Sequence, residues 1–545
     1  MTTGLAPGSL VARLRCAAPA PTMLRALLLL PFLLLPFLLP AAAAPAQDEG
    51  RALASFKRAF ATAKGKRVGA GIEEKRAALQ GLAGYDSGKV AEELVDGWEN
   101  LAAELAAIDA QRAEYAEEMA KLIEGQEASS NRTLPQAAFD RFNQLKPLIA
   151  ELRDRGDALR ELQLDVAARI AGLRRRDGVL WLLKRVCGDK KAELPLRLAA
   201  AKAVGASAGE VLDELAAALA RARQPAEQIV LLDAIALAGE PAKAHATPVL
   251  ELLGNKEPAV AERAALALAK LAVPEAVGPM IDLLARSSGQ MRLRVVAALE
   301  VLTGEQFGDN VGAWQAWFQA EGAALAAGGR ELGKGVPSNR KTTNENYYFG
   351  IPQEQSDAIL YVIDCSDSMK APVRLDTGVT TAGGVVKEMT RLEACQVELI
   401  RALGKLRPTQ KFAILWYNDL PHWWEPKMQL ATKQTVEKAQ DFVASLKHAS
   451  STNIHDSLEL GFSLVGRGAH DKYYGVELDT IFLLTDGSPT RPDGSLDSTE
   501  KILVGVRAWN PLKRVTIHCI AIGKDLNAPF LRQLASENGG EFKQF

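Results

Sequence analysis

Two stretches of the chain repeat their apolar positions in heptads. Leu101, Leu105, Ile108, Arg112, Tyr115, Met119 and Leu122 alternate spacings of four and three, the seam of a helix that packs on another helix. Arg112 is the exception, although a long stem can lie along a seam while its guanidinium reaches outward. The polar run Glu124 to Thr133, followed by Pro135, ends the pattern. A second run follows at Phe142, Leu145, Ile149, Leu152, Leu159, Val166, Ile170 and Leu173, interrupted at Gly156 and Gln163. A short break between two such helices predicts an antiparallel coiled-coil hairpin over 98–178, with dimerisation through the same seam as the alternative. Residues 47–97 read as shorter helices, one from Glu73 and one from Lys89 to Trp98.

Residues 179–323 carry a longer period. Gly205, Gly239, Ala272 and Gly304 end similar apolar helices at spacings of 34, 33 and 32. Paired helices at this period stack into a solenoid. This part resembles short HEAT-like repeats, although the usual HEAT period is longer, about 40–47 residues. The resemblance implies an extended concave surface for another protein; a plain spacer is the alternative. Trp314 and Trp317 are expected to cap its end. The glycine-rich, polar segment 324–354 predicts a linker that ends in Tyr347 to Pro352.

From 355 to 545 strands and helices alternate. Ala358 to Ile363, Phe412 to Tyr417, Thr480 to Thr485 and Val515 to Ile522 are short apolar runs of the kind that form buried parallel strands. Thr390 to Leu406, Thr435 to Leu446, a segment from Ile454 and Leu531 to Glu537 read as helices. Trp423 and Trp424 fall on a short edge strand, and Glu541 to Phe545 on a last one. The alternation predicts a doubly wound, Rossmann-like α/β domain. The whole chain is therefore multidomain: an all-α part, hairpin plus solenoid, followed by an α/β domain.

Composition narrows the function. The formal net charge is -1, which argues against nucleic acid as the partner, since that calls for a basic excess. Hydrophobic residues make up 48% and charged residues 24%, a composition for folded domains rather than a disordered chain. Five cysteines occur without a CxxC pair, so they read as small core residues, not a zinc or redox site. At the start, Arg13, Arg15 and Arg25 precede an apolar run from Ala26 to Pro40, and Ala44-Pro45-Ala46 is an A-x-A signature. This predicts a signal peptide over 1–46, with Met23 as an alternative start. An uncleaved membrane anchor is the competing reading. Either way the rest of the protein is expected to work outside the cytoplasm: periplasmic, cell-surface or secreted. Asn131 heads a glycosylation sequon.

In an α/β sheet, ligands bind beyond the strands' carboxyl ends, where the strand order switches. Three loops fall at such positions: Asp364 to Ser368, Ser450 to Asn453, and Thr485 to Gly487. They bring together hard oxygen donors of the type Mg²⁺ takes in about six-fold coordination. Asp364, Ser366 and Ser368 lie at alternate positions of one extended turn; Thr452 and Asp486 can close the ring from neighbouring loops. His422, His448, His470 and His518 show no metal spacing. Asp456 complements the dipole of the helix it begins. No GxSxG elbow or Walker loop is present.

The pattern D-x-S-x-S, then a distant threonine, then an aspartate after an apolar strand, resembles the von Willebrand factor A domain and its metal-ion-dependent adhesion site. The resemblance covers 355–545 and includes Ile520 to Gly523 and Gly539-Gly540. It implies a non-enzymatic protein that binds a protein partner through a divalent ion, Mg²⁺ with Ca²⁺ or Mn²⁺ as alternatives. Ser366 and Ser368 would bind the metal directly, Thr452 directly or through water, and Asp364 and Asp486 would hold coordinated waters. A carboxylate of the partner would complete the octahedron. Two features depart from the family. Asp367 stands between the serines where glycine is usual, either adding a third carboxylate near the ion or facing solvent. Residues 370–389, with Gly378, Gly383 and Gly384, form a longer insertion than the family minimum. Two other functions compete: a scaffold whose metal site is vestigial or only stabilising, and a phosphotransferase with Asp364 as nucleophile, whose D-x-D-x-T pattern would need an acid where Ser366 stands.

Overall fold

The computed structural model describes residues 46–61, 70–127, 135–189, 191–329, 332–337, 346–373, 389–448, 451–464, 478–491, 495–523 and 527–545. The expected leader up to residue 45, the Asn131 sequon, Ser450, His470 and the insertion glycines Gly378, Gly383 and Gly384 lie outside them. Among the described residues, no helix is long and apolar enough to cross a membrane. Residues 44–545 form one compact unit.

The heptad runs lie on two long helices, α1 (Gly88–Glu127) and α2 (Gln136–Ala171), packed along each other. Leu101 and Ile108 on one arm and Leu159, Val166 and Ile170 on the other are buried, so the seam is filled within a single chain. The boundary expected at 97/98 falls inside α1. Nothing breaks the helix there, and Gly97 lets the Phe56 ring approach so closely that an added Cβ would meet it at 2.7 Å. That contact fastens the first described helix, Ala46–Phe60, to α1.

Beyond the hairpin, helices Leu194–Ala206, Pro225–Ala238, Pro258–Lys270 and Gly289–Thr303 stack on one another in order. The periodic markers have a backbone cause. Gly239, Ala272 and Gly304 have positive φ of 67°, 52° and 78°, which takes the chain out of the helix; Gly304 does so in the left-handed helical conformation common at helix ends. Gly205 serves otherwise: an added Cβ would lie 2.5 Å from Ala234 O of the next helix, so its lack of a side chain permits the stack's close approach. Trp314 is buried near the end of the stack, donates its indole N–H to Gly308 O at 2.8 Å and packs edge-on against Phe307 and Trp317.

The α/β domain contains, in order, β1 (Ala358–Asp364), α3 (Arg391–Leu403), β2 (Lys411–Tyr417), β3 (Pro421–Trp423), β4 (Gln429–Leu430), α4 (Lys433–Ser445), α5 (Ile454–Phe462), β5 (Thr480–Thr485), α6 (Thr499–Trp509), β6 (Thr516–Ala521), α7 (Ala528–Glu537) and β7 (Phe542–Gln544). The sheet order is β7-β6-β5-β1-β2-β3, with β4 also on β2. Pairings among β7, β6, β5, β1 and β2 are parallel; β3 and β4 run antiparallel to β2. Every residue of β1, β5 and β6 is buried, as their unbroken apolar runs require when helices cover both faces. Helix α6 had no counterpart in the sequence reading. The domain also takes in residues ahead of 355: Tyr348, Phe349 and Ile351 are buried, and Tyr348 packs edge-on against Tyr361 and Phe482.

Successive strands go from β1 to β2 on one side and later to β5 on the other, so the order switches at β1. The crevice above β1 and β5 is therefore where a ligand belongs. The helical stack grips the opposite end. Ser288 Oγ donates to Asp357 at 2.7 Å, Thr516 Oγ1 to Gln290 at 3.2 Å, and Arg294 to Arg514 O at 2.7 Å, all around the starts of β1 and β6.

Candidate metal centre

Asp364 is the last residue of β1, and its side chain is wholly buried. One carboxylate oxygen accepts from the Ser366 amide at 2.8 Å. The other accepts from Thr485 Oγ1 at 2.8 Å and from the Tyr417 hydroxyl at 3.3 Å, groups that end β5 and β2. The carboxylate is thus fixed by the three central strands. Ser366 Oγ and Ser368 Oγ are 2.8 Å apart, and Ser368 donates to Asp486 Oδ1 at 2.6 Å. Four of the five expected residues therefore form one continuous hydrogen-bonded chain across two loops.

Thr452 comes from the third loop. A Cβ built on Gly487 would lie 3.7 Å from Thr452 Oγ1 and 3.8 Å from Ser368 Oγ, so Gly487 leaves space between hydroxyls of two different loops. The Thr452 main chain is tied on both sides: its N–H donates to Thr490 Oγ1 at 2.6 Å, and its C=O accepts from the Thr490 N–H at 2.8 Å. Asn453 then caps α5, accepting from the Asp456 amide at 3.2 Å.

Two buried carboxylates meet here. Burial, and next the neighbouring Asp486 charge, push Asp364 up to about 6, against the opposing hydrogen bonds from Ser366 and Thr485. Arg391 is a cationic partner of Asp486, with its Nη1 2.8 Å from Asp486 Oδ2. Its guanidinium reaches past Gly523, where an added Cβ would fall 2.6 Å from Nη2. A cluster of carboxylate and hydroxyl oxygens with surplus negative charge, and open space beside Gly487, fits a hard divalent ion. Asp367 points outward: its side chain is 53% exposed and pairs with Lys370 at 2.8 Å.

A second cluster lies one helical turn away. His455, Asp456 and Glu459 bring their ligand atoms within 4.8 Å of one another. Arg112, Arg153 and Arg160 from the hairpin already supply positive charge there, Arg112 and Arg160 on Glu459 and Arg153 at 3.6 Å from Asp456. This is an ion-pair cluster between the hairpin and the α/β domain.

Sequence reasoning missed Arg391 and Tyr417 as site residues. Tyr417 ends an apolar strand, a position its hydrophobicity alone explains. Arg391 opens α3 after a capping box built by Thr390 and Glu393, and no spacing rule links it to Asp486, 95 residues on.

A doubly wound sheet with oxygen-rich loops at the carboxyl ends of β1 and β5 defines an α/β domain with a candidate cation site. Residues 388–543 match the von Willebrand factor type A domain family, and the C-terminal domain is such a domain. The match contains Thr452 and Asp486 and begins after the loop of Asp364, Ser366 and Ser368. Among curated proteins, the inter-alpha-trypsin inhibitor heavy chain H4 of Homo sapiens is 26% identical over 155 residues, 28% of this chain and 16% of that protein. Heavy chain H1 of Mesocricetus auratus is 27% identical over 188 residues, 34% of this chain and 18% of that protein. The likeness thus spans under a fifth of either relative. Solved structures include the von Willebrand factor type A protein from Catenulispora acidiphila (18% identity, TM-score 0.27, covering 35% of this chain and 38% of that one). Another is proximal thread matrix protein 1 from the mussel byssus with a zinc-occupied MIDAS motif (17% identity, TM-score 0.23, 34% and 41%).

Proposed function

We propose that this is an exported, non-enzymatic binding protein whose von Willebrand factor A domain takes a protein partner through a divalent ion, Mg²⁺ in the first instance, held by Asp364, Ser366, Ser368, Thr452 and Asp486. The observation that carries the reading is the continuous hydrogen-bonded chain from Asp364, through the Ser366 amide and the Ser366 and Ser368 hydroxyls, to Asp486, at the switch point of the sheet. A bound ion supplies an electrophilic coordination position for an oxygen of the partner. Ser366, Ser368 and Thr452 offer neutral oxygens, while both aspartates are engaged in orienting bonds, which keeps the ion's charge available to an acidic ligand. Arg391 adds a fixed positive charge at the same rim. A binding role also suits Asp364 better than nucleophilic attack, because its carboxylate is sealed from solvent and both oxygens accept hydrogen bonds. The helical stack serves as scaffold or as a second interaction surface, and the basic, then apolar, then A-x-A leader supports export.

Calorimetric titration of Mg²⁺ into wild type, Ser366→Ala and Asp364→Ala tests the site. Binding in the wild type and its loss in both variants, with unchanged far-UV circular dichroism, is the expected result. Equal affinity in all three ends the proposal. A pull-down from the native host with and without EDTA then reads whether partner capture depends on the ion.

A further inference from the structure

The helical hairpin touches the loops that present Thr452 rather than lying apart from them. Asp154 on α2 forms a bidentate pair with Arg491, at 2.6 and 2.8 Å, and also accepts from Lys501 at 2.9 Å. Arg491 is next to Thr490, the residue bonded to both sides of the Thr452 peptide. On the other flank, Lys146 of α2 lies 3.7 Å from Asp419, whose second oxygen accepts from the Ser451 amide at 2.9 Å and the Ser451 hydroxyl at 2.7 Å. Leu420 packs into an apolar cluster with Met119, Leu145 and Ile149 of the hairpin. Arg153, almost fully buried, pairs with Asp497, whose side chain is also buried. Both flanks of Thr452 are thus linked to the hairpin through two intervening residues, Arg491 and Thr490 on one side and Asp419 and Ser451 on the other.

We infer that the hairpin is a positioning element of the metal centre: through Asp154 with Arg491 and Lys146 with Asp419 it holds the Thr452 loop where its hydroxyl faces Ser368. Cation affinity then depends on the hairpin's docking on the α/β domain, a dependence between segments more than 300 residues apart in sequence for the Asp154 and Arg491 pair. The inference rests on the cation reading above. Outer contacts of this kind govern metal affinity because a ligand free to wander must be ordered on binding.

The test uses the full chain in two measurements. Hydrogen exchange on metal-free wild type and Asp154→Ala reads the amides of Ser451 and Thr452, with the β5 amides as an internal control for unfolding. Mg²⁺ titration reads affinity in the same proteins, in Asp154→Glu and in Ser366→Ala. The expected result is faster exchange at 451–452 with β5 unchanged, Mg²⁺ binding weakened about tenfold in Asp154→Ala, and recovery in Asp154→Glu. Unchanged exchange at 451–452 overturns the clamp. Faster exchange with wild-type Mg²⁺ affinity overturns its link to the metal centre. Absence of Mg²⁺ binding in wild type and Ser366→Ala alike is a separate result, which removes the cation reading and this inference with it. Should Asp154→Ala lose protection in β5 as well, Lys146→Met provides the same reading from the other flank, with the same outcomes.

Discussion

His455 gives the docking of hairpin on α/β domain a measurable pH dependence. Its ring is fully buried, with Nδ1 3.0 Å from Asp456 and Nε2 3.4 Å from Asp157 on the hairpin. Arg153 faces it from the hairpin, and Trp509 of α6 packs edge-on at 5.4 Å. Burial alone would lower its pKa; hydrogen bonding to Asp157 and Asp456 outweighs burial and the Arg153 charge and raises it from 6.5 to about 9. A group whose folded pKa is raised stabilises the fold fully below its unfolded pKa and loses that contribution as pH climbs through the folded value. The contribution is therefore complete below pH 6.5 and gone above about 9, and the shift corresponds to roughly 3 kcal/mol. Denaturant unfolding of wild type and His455→Gln at intervals from about pH 6 to 9.5 isolates it, because other alkaline titrations are common to both. The wild-type advantage over His455→Gln should shrink by roughly that amount across the interval. Parallel stability profiles for the two proteins would refute the argument, since an imidazole neutral throughout has nothing to lose.

Three other outcomes follow from the geometry. Arg391→Gln removes the guanidinium from Asp486 and leaves the metal centre more negative, so Mg²⁺ affinity should rise about tenfold or more by calorimetry; an unchanged constant would show that the arginine's charge does not reach the ion. Gly205→Ala drives a methyl into the Ala234 carbonyl and should cost about 1–3 kcal/mol in denaturant unfolding, as overpacking does; a neutral result would mean the stack can spread there. Cys187, Cys365, Cys395 and Cys519 are buried thiols, Cys187 pushed up to about 12 by burial, so a thiol reagent near pH 8 should label none of them until denaturant is added. Labelling of any of these four in native protein would contradict that burial.

The α/β domain was legible because its strands are buried on both faces, and such strands announce themselves as unbroken apolar runs. Thr480 to Thr485 was delimited to the residue, and the four other main strands to within a residue or so at each end. The clustering of the candidate site residues was legible for a related reason: short polar side chains directly after an apolar strand have few structural uses. Helix α6 was missed although Pro492-Asp493-Gly494 stands ahead of it and Ser498 proves to be its N-cap, because its apolar residues run together from Ile502 to Val506 and show no clear helical period. Arg391 was invisible for a deeper reason. Its role is set by the approach of α3 to β5 and Gly523, a tertiary distance that no local pattern encodes. The change of pattern at 97/98 falls within one continuous helix, Gly88–Glu127, because a change of pattern need not interrupt a helix when one face simply changes the neighbour it packs on.

The interruptions in the heptad pattern carry information of their own. Arg112 occupies a seam position, yet its guanidinium leaves the seam for Glu459 of the α/β domain. Arg153, Asp157 and Arg160, all on α2 and all nearly devoid of solvent exposure, face the same domain. A hairpin built only to pair with itself or with a second copy would carry apolar residues at Arg112 and leave those charges in water, where surface pairs contribute little. Here they are buried and matched, a condition under which removing one partner costs about 3–5 kcal/mol. The hairpin therefore packs along two seams, one apolar and internal, one ionic and directed at the loops around Thr452. Together with the helical stack at the starts of β1 and β6, this covers the domain at one end and on one flank of the metal centre. Among the described residues, Asp367 and Lys370 at this rim are each about half-exposed. A macromolecular ligand that reaches Ser366 and Ser368 from that side meets those two side chains, so substitutions at Asp367 and Lys370 should change which partner binds while leaving Mg²⁺ affinity within about twofold, a separation that paired pull-down and calorimetry can read.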